Sequence, residues 1–280
     1  MKIAVTGATG FVGRHVLREL ARRDIGIVAV ARTKPPPEMD LPHAEWVSMD
    51  IANAPDDAFE RLGRPDALVH LAWGGLPNYR SPRHFEEQLP AQYRFLKVLV
   101  EAGLTDLLVT GTCFEYGMQS GPLHESLEAR PANPYGFAKD ALRRQLQYLQ
   151  TVRPFNLVWA RLFYLFGEGQ AENSLLPQLQ RAVARGDAVF DMSGGEQLRD
   201  YLPVSEVARC LVALAEKRAD LGVLNVCSGR PVSVRRLVEG WIRDNGWPIA
   251  LNLGRYPYPD YEPMAFWGDR SRLDGLLGAT

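Results

Sequence analysis

Apolar residues recur along this 280-residue chain in two alternating rhythms. Short apolar runs, many of them β-branched, occur at KIAVT (2–6), GIVAVA (26–31), EWVSMD (45–50), DALVHLAW (66–73), DLLVTGT (106–112) and NLVWARLF (156–163). Such runs predict strands buried on both faces. Between them the spacing turns helical. In VGRHVLRELARR (12–23) the apolar positions are 12, 16, 17, 20 and 21, and further helices are predicted at 56–62, 85–102, 135–150 and 174–185. Strands alternating with helices mean βαβ units, so the expected fold is α/β, a doubly wound parallel sheet covered on both faces. Beyond residue 165 the pattern is more mixed. EVARCLVALAEKRA (206–219) and SVRRLVEGWIRDNG (233–246) read as amphipathic helices, and GVLNVCSG (222–229) as a strand running into a turn. KPPPE (34–38) reads as a rigid surface loop, and the Pro-, Tyr- and Trp-rich tail 247–268 as an aromatic cap over a cleft. The expected organisation is a sheet domain over 1–165, rejoined by 195–226, with 166–280 forming mainly a smaller C-terminal domain.

Composition narrows the function classes. The chain is 46% hydrophobic and 23% charged with a net charge of −1, so no global charge draws it to nucleic acid or an anionic membrane. Cys113, Cys210 and Cys227 are dispersed, with no metal-ligand spacing, so no metal site is expected and a reducing compartment fits. No signal-peptide pattern and no uncharged apolar run of about 18 residues is visible, which reads as cytoplasmic.

TGATGFVG (6–13) puts Gly7, Gly10 and Gly13 between the first strand and the first helix. Gly7 suits the tight turn, Gly10 the approach of a pyrophosphate, and Gly13 close helix–strand packing. In that setting the pattern predicts a Rossmann-type dinucleotide site. The residue that should meet the adenosine ribose, about 20 positions past the last glycine, is Arg32, followed by Lys34, with no carboxylate. A guanidinium suits a 2′-phosphate, so NADP(H) is favoured over NAD(H). The alternative is an arginine that stacks on adenine or points to solvent.

Tyr135 and Lys139 in NPYGFAKDALRRQ (133–145) are four apart at the start of a helix and share one face. They read either as a surface pair or as a phenol whose pKa the ammonium lowers for proton transfer.

Taken together, TGATGFVG, VHLAW (69–73), TGTCFEYG (110–117), PYGFAK (134–139), RLFYLFGEGQ (161–170), GGEQLRDYLPVSEVA (194–208), LNVCSG (224–229) and WGDRSRLDGLLG (267–278) resemble the extended short-chain dehydrogenase/reductases that act on nucleotide sugars. The resemblance implies that Thr112, Tyr135 and Lys139 form the catalytic group. Tyr135 would donate a proton to a ketone oxygen, Thr112 would hold that oxygen, and Lys139 would favour the tyrosinate and bind ribose hydroxyls. It also enlists Thr9, Phe11 and Val12 of the glycine turn, Asp50 and Ile51, and Leu71 and Ala72 as cofactor contacts. A strand-end hydroxyl is the plainer reading of Thr112, and a turn aspartate that of Asp50.

The positions after Thr112 bear on the reaction. Related 4,6-dehydratases carry an Asp–Glu pair there, whereas this chain has Cys113 and Phe114. Strand alternation would turn Cys113 away from the side of Thr112, as a packed core thiol. With NADPH as reductant, the expected activity is reduction of the C4 ketone of a nucleotide-linked 4-keto-6-deoxyhexose. HLAWGGLPNY (70–79) and EPMAFWGD (262–269) resemble reductases of that kind. A nucleotide-sugar 4-epimerase is the alternative, and a non-catalytic NADP-sensing protein is a more distant one.

For the sugar nucleotide, the resemblance implies a diphosphate contact from Arg199, for which a salt bridge with Asp200 is the plain alternative. It points to further substrate contacts from Trp73, Phe114, Tyr164 and Asn173, with Trp267 as another candidate. Asn173 reads equally as a helix N-cap, and the aromatics equally as core. The family's second arginine has only Arg255, twelve residues before Trp267, as a stand-in. The helices near 85–102 and 135–150 match those that pair subunits in this family, so a homodimer is expected.

Overall fold

A computed structural model describes residues 1–33, 35, 39, 41 and 43–278. Lys34 and, apart from Pro35, the rest of the expected proline loop lie outside the described residues. The β-branched runs form a seven-stranded, all-parallel sheet in the order β11-β7-β5-β4-β1-β2-β3. These strands are β1 (Lys2–Thr6), β2 (Gly26–Ala31), β3 (Ala44–Ser48), β4 (Ala67–His70), β5 (Asp106–Thr112), β7 (Asn156–Leu162) and β11 (Gly222–Val226). Alternation along each strand divides the core between two faces. Ile3, Val5, Ile27, Ala29, Val69 and Leu108 pack with α1 (Phe11–Leu20) and α6 (Val204–Glu216). Ala4, Val28, Leu68, Leu107 and Val109 pack with α3 (Leu89–Glu101) and α4 (Pro134–Val152), and α2 (Ala58–Arg61) adds Ala58. Helices on both faces of a parallel sheet make this a doubly wound α/β fold.

Some strands stop earlier than the apolar pattern predicts. β3 ends at Ser48, because Asp50 opens a 3-10 turn over 51–53 by accepting from the Ala52 amide. β4 ends at His70, and the chain then climbs away from the sheet through a loop that leads into a π-helical turn at His84–Gln88.

Above the carboxyl ends of the strands lie smaller pieces. β8 (Tyr164–Phe166), β10 (Leu198–Pro203) and β12 (Pro231–Ser233) form one sheet. β9 (Val189–Asp191) pairs with β13 (Ala250–Asn252), beside α5 (Leu175–Arg185) and α7 (Val234–Asn245). β6 (Gly121–Leu123) pairs with β14 (Phe266–Gly268), and α8 (Ser271–Leu277) returns to α6 and β11. Asp200 of β10, fully buried, knits these pieces together. It accepts from Ser228 N at 2.7 Å, Ser228 Oγ at 2.6 Å, Gly229 N at 2.9 Å and Gly268 N at 3.3 Å.

Candidate active site

The sheet order reverses between β1 and β4, and the glycine turn sits at that crevice, where open α/β sheets bind ligands. Gly7 adopts φ +67°, and a Cβ there would lie 2.9 Å from the Ala72 amide nitrogen. A Cβ on Gly13 would lie 2.1 Å from the Gly7 carbonyl oxygen, so helix and turn meet backbone to backbone. No side chain caps α1 at Gly10 and no acid occupies its first turn, so its leading amides remain free for an anion. The Arg14 Nε, buried in that first turn, has no hydrogen-bond partner. These features fit the pyrophosphate of a dinucleotide. Thr6 Oγ1 links the two edges of the crevice, bonding to His70 Nδ1 at 2.9 Å and accepting from Leu71 N at 3.3 Å. Arg32, one residue beyond β2, is exposed, and Asp50 caps its turn and accepts from Asn53 Nδ2 at 2.9 Å, also exposed.

Thr112, Tyr135 and Lys139 come together at the end of β5. All three are buried, with Lys139 2% exposed. Asn133 caps α4 through the Gly136 amide at 2.8 Å, and the Tyr135 amide donates to the Tyr79 carbonyl at 3.1 Å. Lys139 Nζ donates to the Thr110 carbonyl at 2.8 Å and lies over the Trp73 ring, 4.1 Å from its centre. Burial pulls the Lys139 ammonium down to about 7, against the opposing pull of Glu115. His70, held neutral by burial and by the nearby Lys139, falls to about 3.

Tyr135 departs from the expectation that Lys139 lowers its pKa. Burial drives it well above the ordinary tyrosine range, with Tyr79, Glu115 and Cys113 adding to the rise. The nearby Thr112 side chain is the opposing influence. The ammonium sits 5.9 Å from the Tyr135 ring centre, and desolvation dominates. In this state Tyr135 is a protonated donor.

Glu115 was not anticipated from the sequence. It is fully buried in the 3-10 turn that follows β5. Its carboxylate accepts from the Thr112 amide at 2.8 Å, from Trp159 Nε1 at 3.0 Å and from Arg161 Nε at 2.7 Å. Arg161 itself stacks 4.3 Å from the Tyr116 ring centre. The only signal in the sequence was a lone acid within CFEY and a lone base within NLVWARLF, each charge set in an apolar run.

Cys113 is the packed core thiol expected, but strand alternation is not what orients it. β5 ends at Thr112, so strand alternation no longer sets the next side chain's direction. The thiol packs among Tyr116, Leu123, Phe163 and Phe266 and is pushed up by burial.

On the far side of the cleft, the buried Arg199 lies 4.6 Å from the Phe266 ring centre and donates to the Leu198 and Met264 carbonyls. Its ionic partner is Glu262 at 3.3 Å, which also accepts from the Tyr164 hydroxyl; Asp200 faces the other way. Glu262 is a second carboxylate that sequence reasoning passed over. Phe114, Tyr79, Tyr261 and Tyr135 form an aromatic wall, with Tyr79 and Phe114 ring centres 4.8 Å apart. Trp73 stands edge-on to Tyr135. Asn173 lies apart from this group on an exposed loop, and the N-cap of α5 is Ser174. Arg255 is exposed and pairs with Asp191 at 4.0 Å.

Residues 3–227 match the NAD dependent epimerase/dehydratase family. The chain belongs to this family. One member, the dTDP-6-deoxy-L-talose 4-dehydrogenase (NAD(+)) of Aggregatibacter actinomycetemcomitans, is 31% identical over 96% of this chain and 99% of its own length. The UDP-glucose 4-epimerase of Lactobacillus helveticus is 24% identical over 99% of this chain and 91% of its own. The structure of MoeE5 in complex with UDP-glucuronic acid and NAD superposes with a TM-score of 0.84 at 28% identity, covering all of this chain and 93% of that one. This epimerase/dehydratase family member is therefore an oxidoreductase-type, nucleotide-sugar enzyme with a Rossmann fold. Two of these relatives are named with NAD, so the NADP(H) preference drawn from Arg32 finds no support among them. Among the described residues no helix is long and apolar enough to cross a membrane, and no group of side chains suits a metal ion.

Proposed function

We propose that this protein reduces the C4 ketone of a nucleotide-linked 4-keto-6-deoxyhexose, with Tyr135 as the proton donor. The observation that carries the reading is Tyr135, buried and protonated beside Thr112 and Lys139 at the mouth of the glycine crevice. Tyr135 gives its proton to the carbonyl oxygen as that oxygen gains charge, and Thr112 steadies the oxygen by a hydrogen bond. Lys139 supplies positive charge next to the phenol as the proton leaves. A nicotinamide dinucleotide, when bound, supplies the hydride. Gly7, Thr9, Gly10, Phe11, Val12 and Gly13 would hold its pyrophosphate, with Asp50, Ile51, Leu71 and Ala72 along the rest of it.

Cys113 and Phe114 follow Thr112, where an elimination would need an acid and a base, so dehydration is disfavoured. The likeness to a dTDP-6-deoxy-L-talose 4-dehydrogenase supports C4 redox chemistry, because a 4-dehydrogenase run backwards is a 4-ketoreductase. Preference for NADP(H) rests on Arg32 alone. Phe114, Tyr164 and Arg199 are the proposed substrate contacts. Asn173 and Arg255 are weaker candidates, since both are exposed and Arg255 pairs with Asp191. The subunits would pair through α3 and α4.

The deciding experiment supplies a dTDP-4-keto-6-deoxyhexose and follows NADPH and NADH consumption. Stoichiometric oxidation of the cofactor is the expected result. The second reading, a 4-epimerase, draws on the likeness to the UDP-glucose 4-epimerase. Interconversion of C4 epimers without net cofactor consumption would establish it and overturn the reductase.

A further inference from the structure

Trp73 leaves β4 three residues after His70, in the loop that overhangs Tyr135. Its indole N–H donates to His84 Nδ1 at 3.1 Å. His84 is fully buried, and its Nε2 meets the Asn78 carbonyl at 2.8 Å, which makes Nε2 the protonated nitrogen and Nδ1 the acceptor. The two rings stack at 27°. With its edge fixed in this way, the indole presents a π-face to Lys139 Nζ at 4.1 Å. The ammonium has the Thr110 carbonyl as a hydrogen-bond acceptor and the ring quadrupole in place of lost water.

We infer that Trp73, fixed by His84, is a positioning residue that keeps the Lys139 ammonium charged and seated beside Tyr135. The role fits an aromatic face already taken by a cation, where the sequence had suggested a sugar contact. The other groups facing Lys139 are His70 from β4, Glu115 from the turn after β5, and Tyr135 of its own helix. His70 is neutral, and the Glu115 carboxylate is shared with Arg161, so neither replaces the indole. His84 meets the indole and also packs against Tyr135, their ring centres 5.2 Å apart, so the pairing of His84→Leu with His84→Gln isolates the part carried by the indole. The catalytic meaning of the contact rests on the proposed C4 chemistry, but the contact itself is testable without cofactor or sugar.

The chain has five lysines, so ¹³C labelling at lysine Cε gives a short list of signals, and the loss of one in Lys139→Met assigns it. The full-length protein is titrated by NMR. In Trp73→Leu the Lys139 midpoint should fall by about one pH unit, because the lost contact favoured the charged form. Trp73→Phe keeps a ring and should fall less. His84→Leu should lower the midpoint, and His84→Gln, which still offers an acceptor to the indole, should restore it. An unchanged midpoint in folded Trp73→Leu overturns the inference, as does an unchanged midpoint accompanied by a raised KM for the nucleotide sugar, which would return Trp73 to the substrate. Should Trp73→Leu fail to fold, the His84→Leu and His84→Gln pair decides. Absence of turnover in the wild type would refute the C4 reading while leaving this titration readable.

Discussion

Replacing Glu115 by leucine tests how the end of β5 is held. The carboxylate and the Arg161 guanidinium are 0% and 2% exposed and 2.7 Å apart. Removing one member leaves a buried, uncompensated charge, which costs about 3–5 kcal/mol. The Thr112 amide and the Trp159 indole lose their acceptor at the same time. For a domain of this size each kcal/mol lowers Tm by about 2–4 °C, so the expected drop is about 6–20 °C. The assay is a two-way cycle of Glu115→Leu, Arg161→Met and the double variant, followed by urea and thermal unfolding. The double variant should recover part of the loss, since no lone charge remains, while the orphaned amide and indole keep a residual cost. A single-variant loss below about 1 kcal/mol, or a double variant as unstable as the sum of the singles, would refute the reasoning. Turnover should fall together with stability in Glu115→Leu, because the same carboxylate anchors the turn that presents Thr112.

Tyr135→Phe should abolish turnover and leave cofactor affinity largely intact, read by fluorescence titration; surviving activity would remove Tyr135 from its proposed role. Gly13→Ala drives a methyl group into the Gly7 carbonyl, so dinucleotide affinity should drop at least tenfold and Tm should fall, checked by calorimetry. Arg32→Asp should lower the ratio of kcat/KM for NADPH over NADH, and an unchanged ratio would show that Arg32 does not read the 2′-phosphate. Lys139 titrates near 7 in the folded chain and at 10.5 in its ordinary state, so between those values the unfolded chain holds more protons. Stability should therefore rise with pH from about 7 toward 10, and Lys139→Met should lose that rise in a Tm-against-pH series.

The large sheet was legible because its strands are long enough to show their periodicity and are buried on both faces. The strands of β6, β8, β9, β12, β13 and β14 are three residues each, too short for alternation to register, and their pairing comes from distant segments. The glycine turn was legible because backbone geometry forces its residue types. Glu115, Glu262, His70 and His84 were not, since a single polar residue in an apolar run says nothing about which partner will reach it. Asn173 illustrates the reverse limit. Its position before SLLPQL suited a cap, yet the N-cap of α5 is the next residue, Ser174, and the helix begins at Leu175. Tyr135 and Lys139 were found by spacing, but their charge states follow from burial, which spacing does not encode.

The Asp200 carboxylate bears on how the protein is made. Its donors come from residues 228, 229 and 268, and Arg199 next to it takes its ionic partner from residue 262. The seventh strand of the main sheet is already in place at Val226. During synthesis from the N-terminus, the dinucleotide crevice can therefore assemble before the cleft beside Tyr135 has its full set of partners. Until residues 228–268 have been made, Asp200 lacks the donors it holds in the folded chain and Arg199 lacks Glu262. A nascent chain would thus complete its glycine crevice before the cleft beside Tyr135.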